Sequence, residues 1–386
     1  MSPSGARGAG DRAGDGGPVT HVPPRADVVV VGGGIVGLSA AWALTRAGRE
    51  VLVLDQAPAG HMSGGSHGSC RIFRLGYDDP FYVALAARAR QPWAELESAA
   101  GERLLHPTPQ LTFGPQMPQV MAAMTAAGGA CQLMTAAQAA SCFPGVAAAG
   151  DVLVELESAV IAADLAIASL ARLAGPAAAV RTGVRVLGLS DARGAVLVRT
   201  SDGDIEAGVA VVCAGPWTPG LLATAGITAP GSATLEQVAY LEPAANAGGA
   251  RPAQPPIFVH YAAEFPYGLP VPGSRLYKIG THHSGSPVDP DGQDRSADPG
   301  LSRRIEEAAR RFLPGFLARP VKQERCVYDN TPDTDFIVDR IGNIVIGSGT
   351  SGHGFKFGPL LGEWLADLAV KGSSPGLPKR FAATRF

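Results

Sequence analysis

Four side chains late in the sequence are of types that do chemistry: the thiol of Cys326, the phenol of Tyr328, the imidazole of His353 and the amine of Lys356. They fall within 31 residues that also hold Thr331-Pro332-Asp333, Asp335-Phe336 and Gly349-Thr350-Ser351-Gly352-His353-Gly354. A thiol becomes a nucleophile as its thiolate. A free cysteine on a strand is otherwise a small buried apolar residue, so both readings of Cys326 stand on the residues alone. Arg325 beside it cannot be its activator, because strand neighbours point to opposite faces. Gly352 and Gly354 frame a turn that leads into a helix near Pro359, and proline suits a first helical turn. That helix N-terminus would favour negative charge in front of it.

More cations lie upstream. Ser66-His67-Gly68 leads into Arg71-Ile72-Phe73-Arg74, two arginines that could clamp a carboxylate by bidentate hydrogen bonds or simply be solvated on a loop. Tyr267-Gly268-Leu269-Pro270 and Tyr277-Lys278-Ile279-Gly280-Thr281-His282 form the second set. Alternation over Leu276 to Gly280 predicts a strand with Lys278 on one face; alone, that lysine reads equally as a solvated edge charge.

These groups need a frame, and the start of the chain supplies one. Asp27 to Val31 is a β-branched run with the character of a strand buried on both faces. Gly32, Gly34 and Gly37 then make G-x-G-x-x-G, a helix is predicted from about Ile35 to Ala47, and a second strand runs from Glu50 to Leu54 before Asp55. Glycines let the backbone approach a pyrophosphate at a helix N-terminus, and the acid would accept from ribose hydroxyls. In this strand-helix-strand setting the motif is specific for a dinucleotide, though it does not separate FAD from NAD.

Composition bounds the rest. A chain of 386 residues with formal net charge -2 makes one large domain or two interleaved ones and offers no bulk charge for nucleic acid. Five cysteines without CxxC spacing point to a reduced, cytoplasmic setting, with Cys70, Cys131, Cys142 and Cys213 read as structural. Met1 to Pro24 lacks the apolar core of a signal peptide. No apolar run approaches the ~20 residues that span a bilayer.

Asp27 to Leu96 and, more closely, Cys326 to Lys356 resemble the family of monomeric sarcosine oxidase, N-methyltryptophan oxidase and pipecolate oxidase. The carriers are the glycine motif, Ser66-His67-Gly68, Arg71-Ile72-Phe73-Arg74, Cys326-Val327-Tyr328 and Ser351-Gly352-His353-Gly354-Phe355-Lys356-Phe357. The resemblance implies an α/β, two-domain fold: a Rossmann-like FAD-binding domain of glutathione-reductase type, interleaved with a mixed β-sheet substrate domain. Residues 27–105, 151–231 and 326–386 are assigned to the first domain, 106–150 and 232–325 to the second, and 1–26 to a disordered tail. It also implies FAD bound as a thioether of Cys326, with Gly32, Gly34, Gly37, Asp55, Ser66, His67, Gly352, His353, Gly354 and Lys356 around it.

By the same resemblance, Arg74 and Lys356 anchor a substrate carboxylate, Tyr267 and His282 line the cavity, and Tyr328 is a mobile wall. Lys278, with Arg71 close by, would serve dioxygen as a fixed cation. The implied reaction is oxidation of a secondary amino acid at its C–N bond, giving an imine and hydrogen peroxide. A tailoring enzyme forming an imine in a secondary-metabolite pathway is the alternative. The partners expected are a small amine or amino acid and O2, with no metal, nucleic acid or membrane, and the protein is expected to be a monomer. A single His67, with Ser69, Cys70 and Leu75 beside the arginines, departs from the sarcosine oxidases and favours a bulkier or cyclic substrate.

Overall fold

The computed structural model describes residues 21–58, 60–175, 178–191, 193–244, 255–292 and 294–386. Most of the expected tail lies outside them. From Val22 the chain is already engaged: its N–H donates to Asp202 Oδ2 at 3.0 Å, and the first strand begins at Arg25.

The run Arg25–Val31 sits at the centre of an eight-stranded sheet, between Val51–Asp55 and Gly203–Val212, both parallel to it. Parallel pairing buries both faces, and Val28 to Val31 are buried accordingly. Ala178–Thr182 extends one edge. Gly203–Val212 is long enough to serve twice: its first half pairs with Val196–Thr200, and its last residues pair in parallel with Ile344–Ser348.

Two helices cover this sheet where it meets the site. Ile35–Arg46 is crossed closely by Gly358–Lys371. The approach depends on glycine: a Cβ at Gly358 would lie 2.4 Å from Ile35 Cγ1, and one at Gly362 would lie 2.5 Å from the Ser39 backbone carbon. Gly362→Ala should therefore cost about 1–3 kcal/mol of stability through overpacking. An unchanged melting temperature in that variant would rule out the tight crossing.

A second, nine-stranded sheet carries most of the remaining chemistry. Its spatial order runs Ser286–Pro287, Ser232–Leu241, Tyr277–Thr281, Pro266–Pro270, Ile257–His260, Gln110–Phe113, Asp151–Glu155, Gln132–Thr135, with Lys322–Asn330 also paired to Ser232–Leu241. Helix Pro299–Phe312 packs its apolar face on it through Ile305, Ala309 and Phe312. Two strands differ in place from the reading above. Asp151–Glu155 pairs with Gln110–Phe113 and Gln132–Thr135, so the chain leaves this sheet only after Glu155. Cys326 likewise stands in this second sheet. An apolar strand fits either sheet, and only hydrogen-bond register decides between them. A third sheet joins Cys70–Phe73, Ala159–Ala162 and Leu105–Pro107.

Candidate active site

At the nucleotide end, each glycine of the motif has a separate reason. Gly32 has φ +107°, and a Cβ there would lie 2.3 Å from the Cys213 carbonyl oxygen on the neighbouring strand. A Cβ at Gly37 would lie 1.9 Å from the Gly32 carbonyl oxygen, so only glycine lets the helix sit on the turn. Gly34 leaves room for Ser66, whose hydroxyl accepts the Ile35 N–H at 3.0 Å at the helix start. Asp55 accepts the N–H of Gly33 at 2.8 Å and that of Ala57 at 2.9 Å, with His61 Nε2 at 3.5 Å. Burial raises its carboxyl, but His61 and these two N–H groups outweigh burial and leave it below its usual range.

From there a continuous cavity of about 1430 Å³ runs past Ser66, His67 and Gly68 to Lys278, Cys326 and Lys356. Single-ligand pockets are roughly 300–1,000 Å³, so this one has space for a dinucleotide and a second small molecule.

At the far end the two sheets meet. Strand Lys322–Asn330 turns Glu324, Cys326 and Tyr328 to the cavity, as alternation requires. Arg325 points away and donates to the carbonyls of Glu236, Ser296 and Leu235. Burial pushes the Cys326 thiol up, and the nearby Arg71 and Lys278 pull it down. Gly352, at φ +72°, lies under Tyr328: a Cβ would sit 2.0 Å from that ring. The Tyr328 hydroxyl is 3.2 Å from His282 Nδ1. Burial, followed by the neighbouring His283, holds His282 well below its usual range, so it is neutral.

Arg74 and Lys356 both border Tyr77: Arg74 Cζ is 4.3 Å from its ring centroid, and Lys356 Nζ, 5.4 Å from it, lies off the hydroxyl edge. Arg74 donates to Gly76 O and Tyr261 Oη; Lys356 Nζ donates to Tyr77 Oη and His353 O, each at 2.8 Å. Both are buried and make no ion pair with a carboxylate among the described residues; Glu155, which accepts from Leu75 N–H at 2.7 Å and Gly76 N–H at 2.8 Å, acts on Arg74 without touching it. Burial and the adjacent Arg74 hold Lys356 far below the usual lysine range. His353 packs against Tyr82 and Phe336, and its Nε2 lies 3.1 Å from Thr334 O. A ring nitrogen facing a carbonyl must carry the proton, which leaves Nδ1 to accept from Tyr77 Oη at 3.4 Å.

Lys278 is buried, and its Nζ donates to Cys70 O at 3.1 Å. Arg71 spends its hydrogen bonds on Cys70 O, Gly65 O and His67 O, so it braces the glycine-rich loop while standing near Lys278. Tyr267 lies beside Gly280, where a Cβ would be 3.1 Å from its hydroxyl. His67 lines the same cavity and is held down to about pKa 4, first by burial and then by Arg71.

The sequence reading missed several residues. Asp329 accepts from Ser348 Oγ and Gly349 N–H and so fixes the turn before Gly352. Glu236 accepts from Ser284 and Gly285 N–H and holds the turn after His282. Tyr77 and Tyr261 come from distant segments with no local signal. Glu324 was findable, since it stands two residues before Cys326 on a strand. Asp333 and Asp335 prove to be clamps, bound by Arg385 and Arg380.

A family model described as FAD dependent oxidoreductase matches residues 27–368. The chain belongs to this family. The glycine cradle, Asp55 and the long cavity fit its dinucleotide, and the cofactor is FAD. Among relatives of this FAD-dependent family, "Peroxisomal sarcosine oxidase" of Mus musculus is 34% identical, covering 89% of this chain and 92% of its own. "Monomeric sarcosine oxidase" of Arthrobacter is 31% identical over 90% and 93%. Among solved structures, NikD, described as an unusual amino acid oxidase essential for nikkomycin biosynthesis, superposes with TM-score 0.83 at 27% identity, over 93% of this chain and 98% of that one. The mixed α/β architecture with two principal sheets is that of these flavoproteins. Among the described residues, no helix is long and apolar enough to cross a membrane.

Proposed function

We propose that this protein oxidises the C–N bond of a secondary amino acid, N-methyl or cyclic, to an imine with release of hydrogen peroxide. The observation that carries this is the pair Arg74 and Lys356: two buried basic side chains at one end of the FAD cavity, with no carboxylate hydrogen-bonded to either among the described residues. Glu155 offsets the charge of Arg74 in part, and burial with Arg74 holds the free Lys356 amine down; a substrate carboxylate beside both would bring the Lys356 charge back and pair it. FAD, when bound, supplies the two-electron acceptor. Gly32, Gly34, Gly37, Asp55 and Ser66 would hold its nucleotide half, and Cys326 would bond its ring as a thioether. His67, Gly352, His353 and Gly354 would surround that ring, with the start of helix Gly358–Lys371 favouring negative charge there.

The chain's own groups then position and screen. Arg74 and Lys356 fix the carboxylate, which places the amine-bearing carbon among Tyr267, His282 and Tyr328. His282, being neutral, adds no positive charge beside the substrate amine. Lys278, backed by Arg71, offers a fixed cation where negative charge develops on dioxygen. Two interleaved domains, one for nucleotide and one for substrate, are part of this proposal, as are a monomeric state and a cytoplasmic setting. The five free cysteines support a reducing compartment. A tailoring role in a secondary-metabolite pathway is the alternative, favoured by the likeness to NikD, while Ser69, Cys70 and Leu75 favour a bulkier or cyclic substrate.

Anaerobic mixing with N-methyl, cyclic and primary amino acids should bleach the flavin with the first two groups, and air should then yield peroxide. A flavin bleached by none of them would overturn the reading. Lys278→Met should slow reoxidation of reduced flavin by O2 by a factor on the order of 100 or more, as when a preorganised charge is lost. Reduction by amine should fall much less. Slow reduction with normal reoxidation would make Lys278 a substrate residue.

A further inference from the structure

Glu324 is a buried carboxylate that the proposed reaction does not use. It stands on the cavity face of strand Lys322–Asn330, two residues before Cys326. Its Oε2 accepts from the Tyr240 hydroxyl at 2.8 Å, and its Oε1 lies 2.5 Å from Lys322 Nζ, which is at the surface. Tyr240 is paired in register with Lys278 on one side and with Lys322 on the other. Lys278 Nζ is 5.7 Å from the Tyr240 ring centroid and Lys322 Nζ is 5.4 Å from it. Gly68 marks the gap between them. A Cβ there would meet Glu324 Oε2 at 3.2 Å, Arg71 Nη1 at 3.5 Å and Lys278 Nζ at 3.8 Å. One carboxylate and two cations thus border the same small space.

We propose that Glu324 is the counter-charge that keeps buried Lys278 an ammonium, with Lys322 moderating it from the surface. The inference rests on the oxidase reading, because a cation matters there for dioxygen. The groups facing Lys278 can be taken element by element. Arg71 and His67 come from the strand and loop below it; Arg71 disfavours a further positive charge, and His67, held down to about pKa 4, is uncharged beside it. Cys70 and Cys326 are thiols, and Cys326 loses even that proton if it becomes a thioether. Tyr240 is a neutral phenol pushed up by burial. Glu324 is the carboxylate of the set, held below its usual range because Lys322, Tyr240 and Lys278 outweigh its burial. For Lys278 burial and then Arg71 favour the neutral amine and hold it below the usual lysine range; Cys70, Cys326 and then Glu324 oppose them, and of these three Glu324 is the carboxylate. Glu324 is therefore a positioning residue that acts through Lys278.

The test reads the lysine directly. Protein labelled at lysine with 13C and 15N is titrated by NMR, with the Lys278 signal assigned by its loss in Lys278→Met. Glu324→Gln should lower the Lys278 midpoint by about 1–3 pH units, the span of a nearby opposite charge. Lys322→Met should raise it, because it removes a cation and frees the carboxylate. In parallel, chemically reduced flavin is mixed with O2 across pH; no amine is needed. Lys278 is active while protonated, so reoxidation falls as pH rises through its midpoint, and in Glu324→Gln that fall should move to lower pH. An unmoved Lys278 midpoint in Glu324→Gln overturns the proposal. If that variant does not fold, an unmoved or lowered midpoint in Lys322→Met overturns it. Shifted midpoints in a protein that no amine reduces would sustain the counter-charge and reject the oxidase reading.

Discussion

Acid-precipitated protein should carry its flavin into the pellet, and Cys326→Ser should leave all of it in the supernatant. Cys326 faces the cavity together with Glu324 and Tyr328, while Arg325 is turned to carbonyls outside it. Burial raises the thiol, so forming the reactive thiolate depends on the opposing pull of Arg71 and Lys278. Attachment should accordingly be slower in Lys278→Met, measured as flavin retained in the pellet over time after reconstitution. Complete release of flavin from denatured wild-type protein would sink the thioether and return Cys326 to a packing role.

Carboxylate inhibitors should bind far more weakly to Arg74→Ala and to Lys356→Met. Each change leaves the other cation to face a desolvated anion alone, a loss of about 2–5 kcal/mol. At 1.4 kcal/mol per tenfold, that is roughly 30-fold to several thousand-fold in Kd. A pH signature accompanies it. Burial and Arg74 hold the free Lys356 amine well down, whereas a bound carboxylate would raise it. Binding should therefore take up a proton between the two midpoints, and affinity should fall as pH rises through that window. Calorimetry in buffers of different ionisation enthalpy measures the uptake. Equal affinity in wild type and both variants would remove the anchor.

How much of this was legible in the chain depends on range. Gly32, Gly34, Gly37 and Asp55 could be read because the whole nucleotide motif lies within one strand-helix-strand unit, where spacing is geometry. The strand bearing Lys278 was readable by alternation, but its oxygen role came only from family resemblance. Asp151–Glu155 and the strand of Cys326 were recognisable as strands yet assigned elsewhere, because a strand's own residues do not name its partner. The Glu324–Tyr240–Lys278 set depends on the register of three strands, and Tyr77 between Arg74 and Lys356 depends on a fold-level contact between segments 279 residues apart. Neither leaves a periodic trace.

The placement of Cys326 in the second sheet has a mechanical meaning. The nucleotide cradle belongs to the first sheet and the thiol to the second. A thioether would make the cofactor a rivet through both halves, so that neither could melt without dragging on the other. Holo wild-type protein should unfold in one cooperative transition, and Cys326→Ser freed of flavin should show the halves parting at separate temperatures in calorimetry.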